Sequence, residues 1–157
     1  MRQAVRGMNA RKGTTVVEAA LIMLVLLAMG LGVVELGYMA FAQATVHKAA
    51  QVGARYAVTG LGEDDGTRVA AIEARAQDMA QTLDAGTLEV SVRTWPAMAT
   101  GEDAVEDDAG GPCEMVEVEV RYAYAPFTPI VGPLFPDPMV VVGRQRMINE
   151  PWKPCGG

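Results

Sequence analysis

The chain contains one serine and one histidine, Ser91 and His47, so Ser-His nucleophilic chemistry would have to bring those two together with a carboxylate. Ser91 sits within a run of alternating apolar residues, whereas His47 follows a long apolar stretch, which assigns them to different elements. Carboxylates are plentiful, but they concentrate in glycine-containing turns: Glu63, Asp64 and Asp65, then Glu102, Asp103, Glu106, Asp107 and Asp108. These oxygens could attract Ca²⁺, yet they lack the ligand spacing of a calcium loop, and no pair stands out as a glycosidase acid and base. Neither G-x4-G-K-[ST] nor G-x-G-x-x-G is present. Two cysteines, Cys113 and Cys155, do not make a metal cluster. The expectation is a protein with no catalytic residues, no metal, no cofactor and no small-molecule substrate.

The more informative chemistry lies near the amino end. A basic cluster, Arg11-Lys12, is followed by Gly13, four uncharged residues from Thr14 to Val17, and then Glu18 at the head of an apolar run. Glu18 is the only charge between Thr14 and Val34. As a helix those residues rise roughly 31 Å, about the thickness of a bilayer's hydrocarbon core. The rest of the chain is too short to wrap so apolar a helix on every side, so the segment reads as a membrane span. A carboxylate at membrane depth costs about 2.5–3.5 kcal/mol even on the gentler insertion scale, so Glu18 should have a function.

Charge is divided in the same place. Arg2, Arg6, Arg11 and Lys12 give the first 13 residues +4, and the formal total of −6 leaves −10 for everything after them. Bases beside an apolar span stay in the cytoplasm. The acidic remainder is then extracytoplasmic and a poor ligand for nucleic acid. In such an oxidising compartment Cys113 and Cys155 could pair, closing a loop that contributes roughly 4 kcal/mol on the chain-entropy model; two buried thiols are the alternative.

The segment from Arg11 to Ala19 resembles the processing site of type IV prepilins. Together with Val33-Val34-Glu35-Leu36-Gly37-Tyr38 and the stretch from Lys48 to Ala57, it is similar to the TadE-like family, minor pilins or pseudopilins of Tad (Flp) pilus systems. The resemblance implies a pilin-like fold in a bacterial inner membrane, with cleavage by a prepilin peptidase between Gly13 and Thr14. It implies that Glu18 pairs with the new Thr14 amine of a neighbouring subunit, and that Glu18 and Glu35 serve helix pairing during assembly. The partners implied are the peptidase, other pilins or pseudopilins, assembly-platform proteins and membrane lipid. Two other readings of the leader stay open. One is an uncut single-pass anchor for an envelope binding or scaffold protein; the other is a secretory signal cut near Ala40-Phe41-Ala42 or Ala42-Gln43-Ala44.

The elements that must position these residues follow from periodicity. Residues 1–13 form the leader. Residues 14–59 form one long helix, spanning at about 14–34 and amphipathic beyond, with Gly60 as its terminator. A polar stripe of Gln43, His47, Gln51 and Arg55 opposes a face of Phe41, Ala49, Val52 and Tyr56. Residues 60–157 form the outer domain. Val69, Ile72, Ala76, Met79 and Leu83 predict a second helix closed by Gly86, and alternation predicts strands over 87–95, 114–125 and 139–147. Residues 97–112 are expected to be a mobile acidic loop, and 126–138, with five prolines, a rigid extended connection. The fold class is α+β, one helix packed on a roughly three-stranded antiparallel sheet.

Overall fold

The computed structural model describes residues 6–84, 87–96, 104–126 and 138–155, with side chains from residue 14. The expected loop residues 97–103, Gly86 and most of the proline-rich connection lie outside the described residues. The element order is helix α1 (Arg6–Ala57), helix α2 (Arg68–Met79), then strands β1 (Leu88–Trp95), β2 (Val105–Glu106), β3 (Met115–Tyr124) and β4 (Met139–Ile148). The four strands form one antiparallel sheet in the order β2-β1-β3-β4. The class is α+β, as the sequence predicts. The fourth strand, β2, comes from the stretch expected to be a solvated loop. It is only two residues long, and the backbone N–H of Asp107 donates to the Val92 carbonyl at 2.9 Å, fixing the stretch to β1.

Two compact units divide at Tyr38. In the first, α1 is rich in leucine, alanine, methionine and valine, and its apolar side chains point outward: Leu21, Leu24 and Val33 are 61%, 63% and 71% exposed. This stretch is long and apolar enough to cross a membrane.

In the second unit α1 lies on the sheet from Ala42 onward. The buried face there is Ala42, Val46, Ala49, Ala50, Ala54 and Ala57; of the face that periodicity suggests, Ala49 is buried, whereas Val52 and Tyr56 are only half-buried and Phe41 is 47% exposed. Size explains the difference. A Cβ on Gly143 of β4 would lie 2.6 Å from the Val46 carbonyl oxygen, so helix and strand backbones nearly touch and only small side chains fit between them. Gly53 does the same at the junction of α1, α2 and β3, where an added Cβ would meet Val118, Ala76 and Ile72 at 3.1–3.6 Å.

Helix α1 stops at Ala57 because Thr59 and Gly60 turn back with bonds to the Tyr56 and Ala57 carbonyls, and Gly60 takes φ +72°. Helix α2 ends earlier than its apolar spacing implies. Beyond Met79 the chain tightens into i→i+3 turns, with Ala80 N–H bonding Gln77 and Leu83 N–H bonding Ala80, which still bury Leu83.

Along β3 every second side chain, Val116, Val118, Val120, Tyr122 and Tyr124, enters the core under the helices. The other face of the sheet carries Arg93, Glu117, Glu119, Arg121, Arg144 and Arg146 in register: Arg93 opposite Glu117, which is opposite Arg146, and Glu119 opposite Arg144.

Candidate functional site

Gly13, Thr14 and Glu18 all lie in α1, which runs unbroken through the Gly13–Thr14 bond. Thr14 and Glu18 are four residues apart, so they share a helix face, and both are exposed. Glu35 lies about 26 Å further along the axis and about 100° around it. It is only 2% exposed, so the two carboxylates predicted to serve helix pairing stand in opposite settings.

Ser91 and His47 are not brought together. Ser91 is on the open face of the sheet opposite Glu119, whereas His47 is on α1, beside Gly143 on the covered face. The sheet lies between them. The His47 ring is exposed and within 2.6 Å of the Gln43 amide.

Cys113 and Cys155 form a disulfide, so neither is a free thiol. It ties the C-terminal tail to the β2–β3 connection. The tail is held at three further points. Glu150 N–H donates to the Val58 carbonyl at 3.0 Å, the Trp152 indole N–H donates to Glu63, and Lys153 pairs with Asp64 at 3.0 Å. Arg68 is the hub beneath them. Its guanidinium donates to the Ala57 carbonyl at 2.7 Å and to the Gly110 carbonyl, and lies 4.7 Å from the Trp152 ring centroid. Burial pulls its pKa down, against the opposing pull of Glu63, Asp108 and Glu114. Asn149, also buried, clamps the same connection by donating to the Ala109 and Gly111 carbonyls at 2.8 Å each. Neither Arg68 nor Asn149 stands out in the sequence, because a hydrogen bond to a distant carbonyl leaves no periodic trace.

The open sheet face holds a second constellation that sequence reasoning misses. Glu117 and Glu119 are 2% and 1% exposed, although alternation alone places them toward water. Arginines cover them. Glu119 accepts from Arg93, from Arg121 Nε at 2.5 Å and from Arg144 Nε at 2.6 Å; Glu117 pairs with Arg93 Nε at 2.8 Å and accepts from Arg146. Burial alone would push the Glu119 carboxyl up, but the Arg121 and Arg144 hydrogen bonds and charges outweigh it and hold the group below the ordinary carboxylate value. Arg146 also stacks 4.7 Å over Trp95. The usable signal is the matching alternation of Arg144 and Arg146 in β4 with Glu117 and Glu119 in β3.

Among the described residues no group of three or more His, Cys, Asp or Glu side chains could hold a metal ion. Together these features describe an α+β domain continuous with a long N-terminal apolar helix that carries a Gly-x4-Glu segment near its start. Residues 13–55 match the family model for TadE-like protein, the family to which the sequence motifs in α1 are similar. No curated protein and no solved structure gives a significant match.

Proposed function

We propose that the chain is a minor pilin or pseudopilin that takes part in assembly of a Tad-type pilus by packing its N-terminal helix among other such helices. The observation that carries this reading is the outward-facing apolar surface of α1 between Val16 and Leu36, where every large apolar side chain is more than two-fifths exposed. A surface of that kind must be covered by lipid or by other helices. The family match over 13–55 falls on the same stretch. In this reading the +4 leader stays cytoplasmic, the helix sits in the bacterial inner membrane and the domain after it is extracytoplasmic, where the disulfide persists. A prepilin peptidase cuts between Gly13 and Thr14. The exposed Glu18 then meets the Thr14 amine of a neighbour, which neutralises two charges at membrane depth and sets the axial register. Other pilins and the assembly platform are the partners.

Intact mass and N-terminal sequencing of membrane-extracted protein, with and without the peptidase, test this directly. The expected product begins at Thr14, and Gly13→Leu stays full length. Equal masses with the leader retained in both would remove processing. That outcome would favour the second reading, an uncut single-pass envelope scaffold, which the unbroken helix across Gly13–Thr14 also suits.

A further inference from the structure

Three of the four arginines on the open sheet face are only half used. Arg121 and Arg144 each reach Glu119 through Nε, and Arg146 reaches Glu117 through Nε. None of their terminal nitrogens makes a hydrogen bond among the described residues. These three side chains are 51%, 55% and 50% exposed, whereas the carboxylates they neutralise are sunk beneath them. On the β3–β4 side the outer layer of this face therefore presents guanidinium forks, the shape that takes a carboxylate through two parallel N–H donors, while toward β1 and β2 Glu89 stands opposite Arg121 and Glu106 pairs with Arg93. No described element packs on it.

The complementary surface is on the same molecule, on another side. The turn after α1 and the connection after β2 converge, so that Glu63, Asp107 and Asp108 line one shallow pocket. Next to Glu63 in the chain, Asp64 is 87% exposed and among the described residues pairs with Lys153, itself 51% exposed, and Asp65 is exposed with no partner among the described residues. This acidic end lies where α1 leaves the covered face of the sheet, whereas the forks lie on the opposite face. The two surfaces of one copy cannot meet each other.

We propose that the open sheet face receives the acidic end of a second copy of the chain, with Asp64 and Asp65 entering among the guanidinium forks of Arg121, Arg144 and Arg146. The contact is head-to-tail, so each copy leaves one surface of each kind for the next. The −10 charge carried after the leader supplies the acid, and the receiving side is the exposed ends of Arg121, Arg144 and Arg146 above the buried Glu117 and Glu119, a local match of donors to carboxylates on a face whose own charges otherwise balance. The contact involves only the domain beyond Met39 and holds whether or not the leader is cut.

The test uses the full-length chain in a neutral detergent, followed by sedimentation velocity as salt is raised. Wild type should show association that weakens with salt. Arg121→Lys with Arg144→Lys keeps the charge opposite Glu119 but removes the forks, and Asp64→Asn with Asp65→Asn removes the acid. Each pair should weaken the salt-dependent association about tenfold. Mixed one to one, the two variants should recover dimers, since one retains an intact arginine face and the other an intact acidic end; recovery also shows that both are folded. Wild type without salt-dependent association, or a mixture that stays dissociated, overturns the proposal. So does a loss confined to the arginine variant, which would mean that the forks meet a carboxylate of the second copy other than Asp64 and Asp65.

Discussion

Gly143 of β4 stands against the Val46 carbonyl of α1 so closely that a single added methyl would lie 2.6 Å from that oxygen. The neighbouring backbone is no more accommodating, because the His47 nitrogen would be 2.8 Å away. Gly143→Ala should therefore lower stability by about 1–3 kcal/mol, and Gly143→Val by more, since backbone must move to relieve the overlap. Thermal unfolding of the detergent-solubilised chain checks this. A neutral Gly143→Ala would mean that α1 sits further from the sheet.

Glu119 links stability to acid. Its folded pKa lies below the ordinary 4.5, so its contribution is fully present above that value and disappears as pH falls through the depressed one. Glu119→Gln should lower stability at neutral pH, because three guanidiniums lose their shared charge. It should also flatten the decline below pH 4.5 relative to wild type. Unfolding midpoints across an acid series report both effects.

Removing the disulfide by Cys113→Ala with Cys155→Ala opens a loop of 42 residues' separation and should cost about 4 kcal/mol on the chain-entropy model. Limited proteolysis after Asn149, compared with and without reductant, distinguishes a released tail from a domain that has unfolded.

Arg68→Met keeps much of the side-chain length but abandons the Ala57 and Gly110 carbonyls and the charge over Trp152. A decrease of about 2–4 kcal/mol is expected, from two charge-assisted bonds and the ring contact together. Indole fluorescence should change with it, because Trp152 loses its cationic neighbour.

In the proposed pilin reading, Glu18→Gln should separate processing from assembly. The Gly13–Thr14 bond is untouched, so cleavage should continue at Thr14, while incorporation into sheared or pelleted assemblies should fall roughly tenfold or more as the charge-assisted pair is lost. Unchanged incorporation would remove the pairing role from Glu18.

Much of this architecture is legible because it repeats. Val116 to Tyr124 alternates strictly, and Val69, Ile72 and Ala76 recur at helical spacing, so β3 and α2 can be placed from period alone. The helix long and apolar enough to cross a membrane is legible because an apolar run interrupted only by Glu18 is longer than a chain of this size could bury in its own core. What escapes depends on depth and distance. The buried stripe of α1 is hidden because bulky side chains mark a core face in the periodic pattern, whereas a close backbone approach selects small ones, as at Ala42, Ala50 and Gly53. Strand β2 is too short to show a period. Glu117 and Glu119 look solvated because their burial comes from arginines supplied largely by β1 and β4, outside their own strand.

The end of α1 is fastened to the rest of its domain at several heights at once: Val46 against Gly143, Ala57 to Arg68, and Val58 to Glu150. Tension drawn along the helix would load these ties side by side, in shear, instead of peeling them open in turn. Because Arg68 also grips the Gly110 carbonyl and the cystine locks the segment after Glu150, a load on this end of α1 would be shared with the β2–β3 connection and the C-terminal tail.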